Sequence, residues 1–266
     1  MRTMPLARGQ AVSAPVDGGP VVELLDVHKR FDGNEVLRGV SLTIPRGETM
    51  VIMGGSGSGK TVTLRLIAGL IRPSSGVVRV FGGRIDALGE EELLPIRRRM
   101  GYVFQGAALF DSLSVHENVA YPLREHTSLG EAEIRERVAR FLSLVGLGPE
   151  VLGLLPAELS GGMRKRVGIA RALAQEPRML LFDEPTAGLD PTNARMVGEL
   201  IVQLRSGVCD TAVVVTHDLE LAKTVADRMA ILIEGRFAAL GPREAVLAST
   251  DPAVQAFLAG EARVTT

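Results

Sequence analysis

The sequence has almost no cysteine and almost no net charge. Its single cysteine, Cys209, excludes an internal disulfide and any cysteine-built zinc site. A reducing compartment is the natural setting for such a chain. The 30 Lys and Arg nearly cancel the 31 Asp and Glu, leaving a formal charge of −1. That balance carries no sequence-wide basic footprint, and no nucleic acid is expected as a partner. No run of about 18 apolar residues occurs, so no segment is expected to cross a membrane as a helix. Residues 1–20 lack the apolar core of a signal peptide and read as a mobile tail rich in Gly, Ala and Pro. No internal repeat is visible.

What is present is ordinary in amount and particular in arrangement. The 266 residues suit one large domain or two small ones. Hydrophobic residues make up 46% and charged residues 23%, which excludes a disordered, collagenous or coiled-coil chain. Mean hydropathy is nevertheless high, at +0.20. The apolar runs, such as 212–215 and 229–233, have the length of buried parallel strands.

Strand-like segments 21–27 and 36–44 flank the turn signal Phe31-Asp32-Gly33-Asn34, which predicts an antiparallel hairpin or small sheet. Residues 50–53 form a buried strand that runs into a glycine-rich loop and a helix over 61–70, with Gly69 and Pro73 as its stop. Segments 77–81 and 100–104 read as further strands. Residues 111–158 read as a helical insert. In it, Ser128-Leu129-Gly130-Glu131 fits a capping box, followed by Ile134, Val138, Phe141, Leu142 and Val145 at helical spacing and Gly146 as the stop. A helix after Ser160 carries Met163, Val167, Ala170 and Leu173 on one face. Strands at 179–182, 211–215 and 229–233 then alternate with helices, the pattern of an α/β fold with a helix-covered parallel sheet. Residues 242–259 read as two short helices, the second opened by Asp251 and Pro252.

Three motifs carry chemistry. Gly54-Gly55-Ser56-Gly57-Ser58-Gly59-Lys60-Thr61 fits the phosphate-binding loop G-x-x-x-x-G-K-[ST], set between a strand and a helix. Its glycines let backbone N–H groups converge on phosphate oxygens, and the helix end adds its positive pole. Lys60 would reach the β- and γ-phosphates and Thr61 would ligate Mg²⁺. In the second motif, 179–184, an apolar strand delivers Asp183 and Glu184 at its C-terminal end, where α/β sheets bind ligands. Alone this is a solvated acidic pair; behind a phosphate loop, Asp183 suits Mg²⁺ and Glu184 suits the attacking water. The third motif, Leu159-Ser160-Gly161-Gly162-Met163, opens a helix. Alone it reads as a plain helix cap.

Together these motifs resemble the ATP-binding cassette (ABC) ATPases, over about residues 21–240. Leu159 to Met163 is similar to that family's signature. Gln105 falls where the family has its Q-loop, 187–190 resembles the D-loop, His217 the switch histidine, and Phe31 the aromatic that stacks on adenine. Such stacking is worth roughly 1–3 kcal/mol per base. Read alone, Gln105 is a surface glutamine, Phe31 a core residue and His217 a structural histidine.

The resemblance implies a P-loop NTPase core with a parallel sheet, an antiparallel β subdomain, a helical subdomain at about 106–165 and a helical extension over 241–266. It implies ATP and Mg²⁺ as cofactors. Nucleotide contacts fall to Phe31, to Gly54 through Lys60, Thr61 and Val62, and to Gln105; metal contacts fall to Thr61, Gln105 and Asp183. Catalysis falls to Glu184, His217 and Lys60. It also implies that Ser160, Gly161 and Gly162 close on the nucleotide of a second copy in a head-to-tail dimer. The extension after Gly241 is left free to fold back on its own chain or to embrace the other cassette.

Met163 stands where the family usually has Gln. That substitution, with the run 164–166, is similar to the Mla/MCE-type lipid transport ATPases. That resemblance implies an integral membrane permease, an MCE-domain lipid-binding protein and a place on the cytoplasmic face of the inner membrane. A polar-solute importer and a non-transport ATP-gated switch are the competing readings.

Overall fold

The computed structural model describes residues 19–260, so nearly all of the tail expected at 1–20, and the last six residues, lie outside it. The chain opens with β1 (Val22–Phe31) and β2 (Asn34–Ile44), joined at Asp32 and Gly33. Both turn residues have positive φ, 47° and 85°. Two such residues in a row make the hairpin turn that matches strand twist, which is why Asp-Gly marks the spot. The first strand therefore runs four residues further than the sequence pattern suggests and ends on Phe31. Next come β3 (Thr49–Gly54), α1 (Lys60–Ile67), β4 (Ser75–Val80), β5 (Gly83–Arg84), α2 (Glu90–Arg97) and β6 (Met100–Val103). The helical insert holds α3 (Val115–His126) and α4 (Glu131–Leu144). It is followed by α5 (Gly161–Leu173), β7 (Met179–Asp183), α6 (Pro191–Gly207), β8 (Thr211–Thr216), α7 (Leu219–Val225) and β9 (Arg228–Ile233). The end is β10 (Arg236–Pro242), α8 (Arg243–Leu247) and α9 (Pro252–Leu258).

The strands form two sheets. One is antiparallel, in the order β2-β1-β4-β5. The other has the order β10-β9-β3-β8-β7-β6 and is parallel from β9 to β6, with β10 antiparallel at its edge. Segment 77–81 belongs to the small antiparallel sheet. β10 went unread in the sequence because its side chains alternate between half-buried and exposed, as an edge strand's do.

The parallel sheet separates two cores. In β3, Val51 and Met53 face the core built with α3 to α7, while Met50 and Ile52 face the core shared with the antiparallel sheet and α1. All six residues of β3 are buried, as in a strand covered on both faces. This is where the high hydropathy resides.

In the insert, Ser114 caps α3. Its Oγ accepts from Glu117 N–H at 3.2 Å, and Glu117 accepts from Ser114 N–H at 2.8 Å. The capping box expected at Ser128 does not form. Helix α4 begins at Glu131 behind Gly130, which has no side-chain cap. Glu131 is thus the first helical residue and not the third, and it pairs sideways with Arg124 at 2.8 Å. Ile134, Val138, Phe141 and Leu142 are buried as the spacing predicts, and Gly146 ends the segment with φ of 67°. Phe141 is fully buried, so Phe141→Ala should cost about 3–5 kcal/mol, read as a lower urea midpoint. Cys209 is buried too, and burial pushes its thiol up to about 11, which leaves it a packing residue.

Candidate active site

Topology brings three strand ends to one edge. β3, β8 and β7 are neighbours and run parallel, so the loop after Gly54, the turn after Thr216 and the pair Asp183-Glu184 all emerge on the same side. The pairing of β3 with β8, strands far apart in the chain, thus places residues up to about 160 positions apart in one site.

The loop 54–59 curls around the Lys60 ammonium, which donates to Gly54 O at 2.9 Å and to Gly55 O at 3.0 Å. A Cβ on Gly54 would lie 2.4 Å from Leu232 O, and Gly59 has φ of 106°, so glycine is required at both. Beyond them the cradle is open: a Cβ on Gly55 or Gly57 would meet nothing within 4 Å. Val62, further into α1, packs on the second core.

Glu184 is 8% exposed and sits in the left-handed region, with φ of 47°. A non-glycine residue held there is strained, a state concentrated at functional sites. Its carboxylate spans two partners. Oε1 lies 3.4 Å from Lys60 Nζ and Oε2 lies 3.0 Å from His217 Nδ1. The His217 ring is otherwise mostly exposed. Asp183, buried beside it, accepts from the Thr61 hydroxyl at 2.8 Å on one oxygen and from the Tyr102 hydroxyl at 3.1 Å on the other. Burial and the Asp183 charge hold the Tyr102 phenol far above its usual range, so it stays a donor.

Five of the expected residues, Lys60, Thr61, Asp183, Glu184 and His217, therefore form one connected set. The loop 54–59 joins this set through Lys60, whereas Phe31, Gln105 and residues 160–162 stand apart from it. Phe31 is exposed at the hairpin tip, with Lys29 Nζ 4.6 Å from its ring centre. Its surface position overturns the reading of Phe31 as a core residue. The Gln105 side chain is exposed after β6. Ser160 is exposed and caps α5, its Oγ accepting from Met163 N–H at 3.2 Å. Gly161 and Gly162 pack toward Leu189 and Asn193 of the same chain, and among the described residues none of 160–162 bonds to the phosphate loop. Val254 of α9 is buried in its own chain's core, and Phe257 lines a cleft of about 510 Å³ with Ser56, Ser58 and His217.

The ABC transporter family model matches residues 37–187. The chain belongs to the ABC transporter family. It is an ATP-binding and ATP-hydrolysing cassette of an ABC transporter. This cassette is 42% identical over 240 residues to the Escherichia coli K12 "Intermembrane phospholipid transport system ATP-binding protein MlaF", covering 90% of this chain and 89% of that protein. It is also 42% identical over 250 residues to the Mycobacterium tuberculosis H37Rv "Probable ribonucleotide transport ATP-binding protein mkl", covering 93% and 69%. With the Mesorhizobium japonicum methionine import ATP-binding protein MetN it shares 39% over 263 residues, 97% and 72%. Among solved structures, a dimeric post-hydrolysis state of the cassette MJ0796 bound to ADP and Pi superposes with a TM-score of 0.78 at 35% identity, covering 83% of this chain and 98% of that one.

The cassette's donors fit a nucleotide and a hard cation. Ser58 Oγ is buried in the phosphate loop with no partner, a polar atom that a phosphate oxygen would satisfy. Thr61 and Asp183 offer adjacent oxygens of the kind Mg²⁺ takes. Among the described residues no cluster of three His, Cys, Asp or Glu could hold a metal by itself. Two residues that reach the site were not expected there from the sequence: Tyr102, which meets Asp183 from the neighbouring strand, and Lys165, whose ammonium donates to the Glu184 carbonyl.

Proposed function

We propose that this cassette hydrolyses ATP to power phospholipid-type transport through a separate integral membrane permease, on the cytoplasmic face of the membrane. The observation that carries the lipid reading is the match to MlaF over nine-tenths of both chains. Met163, in place of the family's usual Gln, supports it. An MCE-domain lipid-binding protein completes the assembly under this reading. No helix among the described residues is long and apolar enough to cross a membrane, and the path through the bilayer is assigned to the permease.

The roles in this reading are as follows. Gly54 to Val62 and Phe31 bind ATP, with Lys60 on its terminal phosphates and Phe31 on the adenine. Thr61, Asp183 and Gln105 would hold Mg²⁺, which would supply neutralisation of phosphate charge. Glu184, steadied between Lys60 and His217, orients and takes a proton from the attacking water. Ser160, Gly161 and Gly162 of a second copy donate to the γ-phosphate, since within one chain they stand apart from the loop. The exposure of Ser160 at the N-terminal end of α5 supports that head-to-tail arrangement.

The test is to purify the cassette with its membrane permease and identify co-purifying molecules by mass spectrometry. Phospholipid together with an MCE-domain protein is the expected result. A permease that carries an amino acid or a sugar, with no such protein, overturns the lipid reading. Polar-solute transport is the second reading, favoured by the equal identity to mkl.

A further inference from the structure

Helix α5 begins at the signature and carries two cations inward, where a solvated helix face would carry them out. Lys165 is 6% exposed. Its ammonium donates to two backbone carbonyls, that of Gln105 and that of Glu184, the latter at 3.3 Å. Further along α5, Arg171 donates to Ala108 O at 2.7 Å and to Ala107 O at 2.9 Å. Between them Gly168 lets the loop approach, since a Cβ there would meet Ala107 at 3.2–3.3 Å. Positions 165, 168 and 171 thus grip the segment after β6. That segment is strained: Ala107 and Ala108 have φ of 61° and 49°. So is Glu184, with φ of 47°; its carbonyl accepts from Lys165 and from Ala187 N–H at 3.2 Å. Strained backbone persists only where its surroundings over-determine it. A buried lysine with carbonyl partners is costly, and burial lowers its pKa while the nearby Glu184 and Asp183 charges oppose that shift. Such a cost needs a return.

We infer that Lys165 is a positioning residue for hydrolysis: one ammonium ties the backbone of Gln105 and of Glu184 to the signature helix, so that α5, the Q-loop and the hydrolytic carboxylate move as one body. The inference rests on the role proposed above for Glu184. Removing the tie should let Glu184 drift without disturbing the phosphate loop, which Lys165 does not touch.

The test compares Lys165→Met, which keeps the stem and removes the donors, with Lys165→Arg, which keeps donors. ATPase kinetics, binding of a fluorescent ATP analogue and thermal melts are measured on the full chain. Lys165→Met should lower kcat about tenfold or more with KM for ATP within about twofold of the parent, because misplacement by a fraction of an ångström acts on the chemical step. Lys165→Arg should recover much of that loss. A Lys165→Met kcat within about twofold of the parent, or a loss that Lys165→Arg does not relieve, overturns the inference. Should Lys165→Met fail to fold, Lys165→Gln takes its place. Its single amide reaches one carbonyl, so an intermediate kcat at constant KM supports the inference and an unchanged kcat defeats it. Glu184→Gln is run alongside. A hydrolysing Glu184→Gln defeats the site reading itself, whereas an inert Glu184→Gln beside a fully active Lys165→Met defeats the tie alone.

Discussion

Glu184→Gln is expected to bind ATP and to hydrolyse it at least about 100-fold more slowly than the parent, a loss of about 2.7 kcal/mol of transition-state stabilisation. The carboxylate is the group in the connected set best placed to take a proton, since Lys60 is a donor, Asp183 is occupied by two hydroxyls and His217 Nδ1 is engaged with Glu184 itself. Glutamine has the same shape and keeps an oxygen for His217, but it accepts no proton at neutral pH. Binding should survive because Glu184 lies outside the phosphate loop. One negative charge fewer beside the triphosphate favours retention of ATP. With turnover blocked, two copies should stay closed on bound ATP, seen as a dimer by size-exclusion chromatography with ATP and as a monomer without it. Steady-state turnover near the parent's would remove Glu184 from the chemistry.

Lys60→Ala is expected to lose measurable ATP affinity, at least about 100-fold by fluorescent-nucleotide titration, and with it all turnover. Its ammonium holds the loop's shape through Gly54 and Gly55 and supplies a buried cation to the phosphate loop. The same change takes Lys60 from Glu184, whose side chain is only about a tenth exposed, and leaves it His217. Breaking such a pair from one side costs about 3–5 kcal/mol, so the melting temperature should fall as well. The two effects separate in a double variant. Lys60→Ala with Glu184→Gln should recover much of the lost melting temperature while ATP binding stays absent, because neutral Gln no longer needs the cation. Unchanged ATP affinity in Lys60→Ala would overturn the phosphate-loop reading.

Much of this site could be read before any coordinate was known, for a definite reason. The phosphate loop is local: eight consecutive residues contain the turn, the cation and the hydroxyl. The Asp183-Glu184 pair is local too, and its apolar lead-in names it as a strand end. Ser160 was legible as a helix cap because capping acts over three residues. Tyr102 and Lys165 were not. Each acts across a gap that sequence spacing does not encode, 81 residues from Tyr102 to Asp183 and 60 from Lys165 to Gln105. The false capping box at Ser128 shows the opposite error. The pattern there is right, but the chain leaves α3 at Thr127 in extended backbone and does not turn into helix until Glu131. The true box at Ser114 and Glu117 satisfies the same pattern and also closes onto buried Asn118, whose amide binds the carbonyls of Phe110, Leu113 and Ser114.

The amino-acid sequence by itself determined the α/β alternation, the glycine positions of the phosphate loop and the candidate groups proposed to bind and hydrolyse ATP. These follow from interactions within a turn or a strand. Only the tertiary structure decided that Glu184 is shared between Lys60 and His217, that Phe31 and Ser160 face outward, and that α5 is tied to the Q-loop. Those facts depend on strand order. The sheet sets β3 beside β8 and β8 beside β7, and the hydrophobic burial on its two faces, not any local motif, holds them there.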